Sequence, residues 1–509
     1  MNKQIKYGII LQYVQMGLSI IVNLIYTPIM IRVLGDSEYG IYSLAASIIS
    51  YLNLFTLGFG ASYIRFYSKY KVNNDNESIK KLNALYVSVF FILGLVALTA
   101  GLILASNVGV FFNDTYSEND LGLAKILMTF LSVNLFISFP ASVFTSYITS
   151  QEKFIFQKSV NMGKTIISPC LCIGALFLGY GSIGMVVITT VISILIDIVN
   201  VLFCIFKLKM RFRFGRPDWL LLKDIAIFSV FIALNQIIDQ INWQTDKIIL
   251  GKMINATAVA VYAVAANINT MYISFSTAVS SVFAPRVNRI VMQNEPDMDE
   301  KLTALFIKVG RLQFFIMMLV LTGFIFFGKY FIIRWAGETY SDAYYIVLLL
   351  ICPVTVPLIQ NVGIDIQRAK NKHKFRSLVY LIMALINVGI SIWFCTLWGV
   401  IGVAVGTTLS LVIANVIIMN IYYHKQLGID IIKFWENIII TVPAFIIPII
   451  FGVLLRRFYT FRNLIDFGVF VLLYTIVYVL SIWFLGLKKE EKQTLIRKRK
   501  RLGNENGNG

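Results

Sequence analysis

Along the chain, apolar positions come in long unbroken runs. They show neither the strict alternation of a half-buried strand nor the three-and-four spacing of a surface helix. A hydrocarbon core of about 30 Å is crossed by about 20 helical residues. Fourteen runs reach that length, near 8–31, 40–64, 82–105, 123–146, 161–179, 184–206, 224–245, 258–284, 303–328, 342–364, 377–397, 402–423, 436–455 and 465–486. Lipid offers no partner to a backbone N–H or C=O, so a spanning segment must be a helix or part of a closed barrel. Continuous runs lack the alternating pattern of a barrel. The pattern therefore predicts an all-α membrane protein of about fourteen transmembrane helices, joined by short connections.

Composition agrees. Hydrophobic types make up 58% of the 509 residues and charged types 14%, where a soluble domain carries about 25% charged residues. The five cysteines fall in apolar runs without metal spacing, and the two histidines, His373 and His424, lie in basic loops. A histidine-built metal centre or acid–base site is not expected. Charge placement sets orientation. With the N-terminus inside, 36 of the 45 Lys and Arg fall in cytoplasmic connections or the tail. That set includes the 65–81, 153–164, 207–223 and 368–376 loops. The net charge of +19 is thereby explained by the positive-inside rule and anionic lipid heads, with no nucleic acid implied. The expected location is a bacterial inner membrane, with both termini cytoplasmic.

The chain also repeats itself. YGIYSLAASI (39–48) matches VAVYAVAANI (259–268), and KLNALY (81–86) matches KLTALF (301–306), both at an offset of 220. GSIGMVVITT (181–190) matches GVIGVAVGTT (399–408) at 218, which pairs Asp197 with Asn415. A repeat of six helices re-enters the membrane from the same side, so the two copies are expected to be parallel. The organisation read from this is a first six-helix half over 1–206, a basic cytoplasmic linker over 207–223 and a second half over 224–423. Two added helices over 424–486 and a basic tail over 487–509 follow. Two lobes around a central cavity suit alternating access.

The segment YGIILQYVQMGLSIIVNLIYTPIMIRVLGDSEYGIYSLA resembles the opening of Wzx-like polysaccharide flippases, and DKIILGKMINATAVAVYAVA resembles its second-half partner. These proteins belong to the multidrug/oligosaccharidyl-lipid/polysaccharide exporter superfamily. The resemblance covers nearly the whole chain. It implies a cavity lined by helices 1, 2, 7 and 8. It also implies a cargo of undecaprenyl-pyrophosphate-linked oligosaccharide, moved from the inner to the outer leaflet. The arginine-rich first helix of peptidoglycan-lipid flippases is missing, since Arg32 is the one basic residue between Tyr7 and Arg65.

Polar stripes mark candidate site residues. On the seventh span, Asn235, Asp239, Asn242 and Asp246 fall at i, i+4, i+7 and i+11, one helical face. A carboxylate inside the membrane costs at least about 2.5 kcal/mol, so this face should meet a wet cavity or a partner. Asp239 and Asp246 are accordingly candidates for ion coupling, because a proton or Na⁺ can cancel their charge. The first span carries a milder stripe of Gln12, Gln15, Ser19 and Asn23, with Gln15 opposite Asn235 at the repeat offset. Both stripes could instead be interhelical glue. Arg65, Arg286, Lys308 and Arg311 lie at inner helix ends, where arginine matches phosphate oxygens in a bidentate fork. Snorkelling is the alternative for each of them.

Enzyme chemistry finds little support. Asp297 and Asp299 form a DxD pattern without a nucleotide-binding domain around it, and no phosphate-binding loop occurs. A cation-coupled multidrug antiporter of the same superfamily remains the rival reading. Expected partners are a polyprenyl-linked glycan, membrane lipids and other glycan-assembly membrane proteins. No cofactor is expected beyond a coupling Na⁺ or H⁺. The sequence leaves the sugar and the oligomeric state open.

Overall fold

The computed structural model describes residues 3–56, 58–112, 115–215, 219–293, 295–489 and 491–492, without the side chains of 3–10 and 231. Residues 216–218 of the expected linker and most of the expected tail lie outside this description. Among the described residues there is no strand.

Among the described residues, twelve helical runs are long and apolar enough to cross a bilayer. Two of them hold two crossings each. Leu11–Val72 has 62 residues and Lys374–Leu427 has 54. A single straight helix of the first length would extend about 93 Å, three times a hydrocarbon core. Gly35 (φ 77°) and Gly399 (φ 57°) break the two runs. Left-handed φ is open to glycine and costs other residues roughly 1–2 kcal/mol, so the direction changes where sequence permits it. Fourteen crossings result. We number them α1 (3–34), α2 (36–72), α3 (Asn76–Ser106), α4 (Glu118–Ser150), α5 (Phe154–Phe177), α6 (Gly181–Lys207) and α7 (Trp219–Met253). The remainder are α8 (Ala256–Ser281), α9 (Met298–Trp335), α10 (Glu338–Ile359), α11 (374–398), α12 (399–427), α13 (Ile431–Phe458) and α14 (Leu464–Gly486).

Helix starts carry the spacing seen in the sequence. Glu118 and Glu338 open α4 and α10, and Phe154 and Lys374 open α5 and α11, each 220 apart. Gly181 and Gly399, 218 apart, share a left-handed φ of 56° and 57°. α2 is interrupted near its middle and α8 at its end. Short 3-10 structure at Tyr51–Thr56 splits α2, and a turn after Ser281 separates α8 from the short helix Ala284–Gln293.

By its contacts the chain forms two compact units, 1–267 with 377–410 and 268–376 with the chain from 411 onward. In the first, α3 packs on α4, α6 on α4 and α5, and α7 on the 3–50 and 59–72 helices. In the second, α9 packs on α10, α13 and α14. Its core gathers Phe315 and Phe327 of α9, Phe445 and Leu455 of α13, and Tyr474, Tyr478 and Ile482 of α14. The Tyr478 hydroxyl donates to Phe315 O at 2.7 Å, and Ser481 Oγ donates to Ala444 O at 2.6 Å. The two added helices are thus bound to α9 by packing and by the Tyr478 hydrogen bond, and to each other through Ser481.

Candidate functional site: a buried carboxylate on α7

The polar stripe of α7 does not meet one uniform environment. Asn235 and Asp239 are exposed, Asn242 is half-buried and Asp246 is buried at 1%. Ser377 Oγ of α11 donates to Asn235 Oδ1 at 3.2 Å. The gradient follows from position. Asp246 lies seven residues from the end of α7, where α8, α11 and α12 close around it.

Asp246 Oδ2 accepts from the Tyr262 hydroxyl of α8 and from Thr407 Oγ1 of α12 at 2.9 Å. Asn387 Nδ2 of α11 donates onward to Thr407 Oγ1 at 3.3 Å, and Ser391 Oγ donates to Asn387 Oδ1 at 3.1 Å. All of these side chains are buried. Asp246 Oδ1 is buried too and has no hydrogen-bond partner among the described residues. Asp246 does not pair with adjacent Lys247, whose Nζ donates to Gln244 Oε1 at 3.4 Å. A negative charge here has one oxygen bound and the other unanswered. The donor set around it, a carboxylate, hydroxyls and an amide carbonyl, is all hard oxygen. That chemistry suits a proton or Na⁺ and not a soft metal. Among the described residues no cluster of His, Cys, Asp and Glu forms a metal site.

The α1 stripe is less enclosed, with Gln12 and Asn23 exposed and Gln15 and Ser19 half-buried. The inner-end basic residues divide into two kinds. Arg65 of α2 is exposed, and its guanidinium lies over the Phe228 ring of α7 at 4.4 Å. Arg286 and Lys308 are exposed as well, and no described carboxylate pairs with these three. Arg311 departs from the expectation. It is 2% exposed, Nε and Nη2 reach Glu491 at 3.0 Å, and Nη1 and Nη2 reach Asn437 O and Gly486 O at 2.8 and 3.0 Å. Its fork is filled by α13, α14 and the start of the tail, so nothing remains for a phosphate. Asp297 and Asp299 are bound to Lys301 and Lys370 at 2.9 and 2.5 Å, which accounts for both acids of the DxD.

Sequence reasoning missed Tyr262, Thr407, Asn387 and Ser391. Their only signal is one polar residue per apolar turn, with Thr407 inside the repeated GVIGVAVGTT.

The sequence matches the model of the polysaccharide biosynthesis protein family over residues 5–291, more than half of the chain. The chain belongs to that family. A protein of Shigella flexneri described as an O-antigen transporter is 21% identical over 412 residues, covering 77% of this chain and 91% of that protein. Among solved structures, the lipid II flippase MurJ in an inward closed conformation superposes with a TM-score of 0.70 at 16% identity, covering 93% of this chain and 98% of MurJ. An inward-facing multidrug-resistance MATE transporter of the MOP superfamily gives 0.66 at 15% identity, covering 82% and 96%. The fold of this family member is therefore that of the superfamily read from its N-terminal and seventh-span segments, and it is a multi-pass membrane protein. The relative and both fold neighbours are transporters or flippases, not enzymes.

Proposed function

We propose that this protein flips a polyprenyl-pyrophosphate-linked oligosaccharide from the inner to the outer leaflet of a bacterial inner membrane. It does so by alternating access, driven by a cation taken up at Asp246. The observation that carries the reading is membership of the polysaccharide biosynthesis family together with full-length likeness to a flippase fold. A glycan cannot cross about 30 Å of hydrocarbon unaided, whereas its polyprenyl tail already lies in lipid. Arg65 and Arg286, exposed and without carboxylate partners, are suited to a pyrophosphate head. Lys308 offers a further cation. Asp246 is suited to coupling because binding H⁺ or Na⁺ removes the cost of its unanswered oxygen. Both termini are cytoplasmic in this proposal, so introduced cysteines at 106–122 should be labelled from outside and those at 207–223 should not.

The test is genetic and chemical. Loss of the protein should accumulate lipid-linked glycan on the cytoplasmic face and leave drug tolerance unchanged. Raised drug sensitivity with normal glycan would favour the antiporter reading.

A further inference from the structure

Charged residues are scarce inside the first six crossings. Only Lys164 and Asp197 lie ten or more residues from both ends of their helices, α5 and α6. Ten residues are about 15 Å of helix, half of a hydrocarbon core of about 30 Å. Lys164 was grouped with the cytoplasmic 153–164 loop on sequence, but α5 begins at Phe154 and carries it inward. The two charges are opposite in sign and sit on packed helices, with no direct ion pair between them. Lys164 Nζ donates to Ser193 Oγ at 3.0 Å, and Asp197 follows Ser193 by four residues on the same face of α6. Other charges on the helices packed against α5 and α6 sit near helix ends, as Arg32, Lys125 and Lys158 do.

The second half lacks both charges at once. Asn415 replaces Asp197 at the 218 offset and donates to Leu411 O of its own helix at 3.0 Å. Ala384 stands where Lys164 does at 220. An intramembrane carboxylate needs a cation or a proton, and an intramembrane ammonium needs an anion. The chain carries the pair in one half and neither member in the other.

We propose that Lys164 is a tethered counter-cation for Asp197, so that this intramembrane carboxylate takes no ion from solution. If Asp246 is the coupling site proposed above, Asp197 then adds no second exchangeable cation to it. Removing Lys164 would expose a second, latent cation site at Asp197.

The test uses the full-length protein in nanodiscs, with thermal unfolding followed across Na⁺ concentration and across pH 5 to 8. Lys164→Ala should lower the midpoint by several degrees, and Lys164→Ala/Asp197→Asn should recover at least half of that loss. Lys164→Arg should stay near the parent. Asp246→Asn alone should lose the cation- or acid-dependent rise in midpoint, and adding Lys164→Ala should restore such a rise through Asp197. A double variant no more stable than the worse single variant overturns the proposal, as does an Asp246→Asn/Lys164→Ala protein indifferent to both ions. An Asp246→Asn protein that keeps its own cation response would count against coupling at Asp246, while the recovery of the Lys164/Asp197 double variant would still decide the pairing.

Discussion

Two buried charges, one in each compact unit, are handled in opposite ways. Arg311 is closed: its guanidinium meets a carboxylate and two backbone carbonyls, and every contact is 3.0 Å or shorter. Asp246 is open: one oxygen is bound twice, and the other meets no donor among the described residues. Both charges are costly to bury, but only the first is answered by the protein itself. A saturated charge acts as a fastening. A half-saturated one acts as a receptor, because the missing partner has to come from solution.

The comparison breaks most visibly at Arg311. Arg311→Ala removes the bonds from α9 to α13, α14 and Glu491, whose side chain is 24% exposed; removing one member of a fully buried pair costs about 3–5 kcal/mol, the upper bound here. We expect loss of monodisperse protein on extraction, read by fluorescence-detected size exclusion. Near-normal yield would mean that the fastening is dispensable. Asp246→Asn should do the reverse. It removes a charge that the structure does not satisfy, so the protein should extract normally while gradient-driven flipping in proteoliposomes falls at least tenfold. Asp239→Asn should cost less than Asp246→Asn, because Asp239 is exposed. An equal or larger loss would return coupling to Asp239. Tyr262→Phe removes a donor to the carboxylate, worth about 1.5–3 kcal/mol for a bond to a charged group. It should shift the cation concentration at half-maximal transport and leave flipping intact at saturating gradient.

The smallest effect concerns pH at the fastening. Burial alone would raise the Glu491 carboxyl, but the Arg311 guanidinium and the Lys488 N–H outweigh it and hold the group below the usual glutamate range. A carboxylate with a depressed folded-state value contributes stability that is present above its unfolded value, near 4.3, and lost as pH falls through the folded one. Protease accessibility of the tail should therefore stay constant from pH 8 to 5 and rise only below about 4. A rise near pH 6 would show that Arg311 does not hold Glu491 as described.

How much of this was legible beforehand depends on where each partner sits. The crossings were readable because lipid imposes length and apolarity on every one of them, and Gly35 and Gly399 fall in the gaps between predicted runs. Asp246 was readable as a carboxylate in an apolar run. Its partners were not, since Thr407 lies 161 residues away and looks like any hydroxyl in a membrane helix. Arg311 was misread for a related reason. A basic residue at an inner helix end ordinarily faces headgroups, and nothing near it in the chain announces Glu491. Lys164 was hidden by one boundary: α5 starts at Phe154, seven residues ahead of the expected span, and carries Lys164 ten residues into the helix.

The Arg311 fastening also bears on biogenesis. Its acidic partner is 180 residues downstream. At about 5–20 residues per second of synthesis, α9 waits roughly 9–36 s before Glu491 leaves the ribosome. For that interval the arginine sits in an inserted helix with its fork unfilled, a state that membrane quality control can detect. Synthesis of the segment that carries Glu491 is what fills the fork. A chain released early, or carrying a fusion placed before Glu491, should be degraded rather than accumulate as a stable shorter transporter.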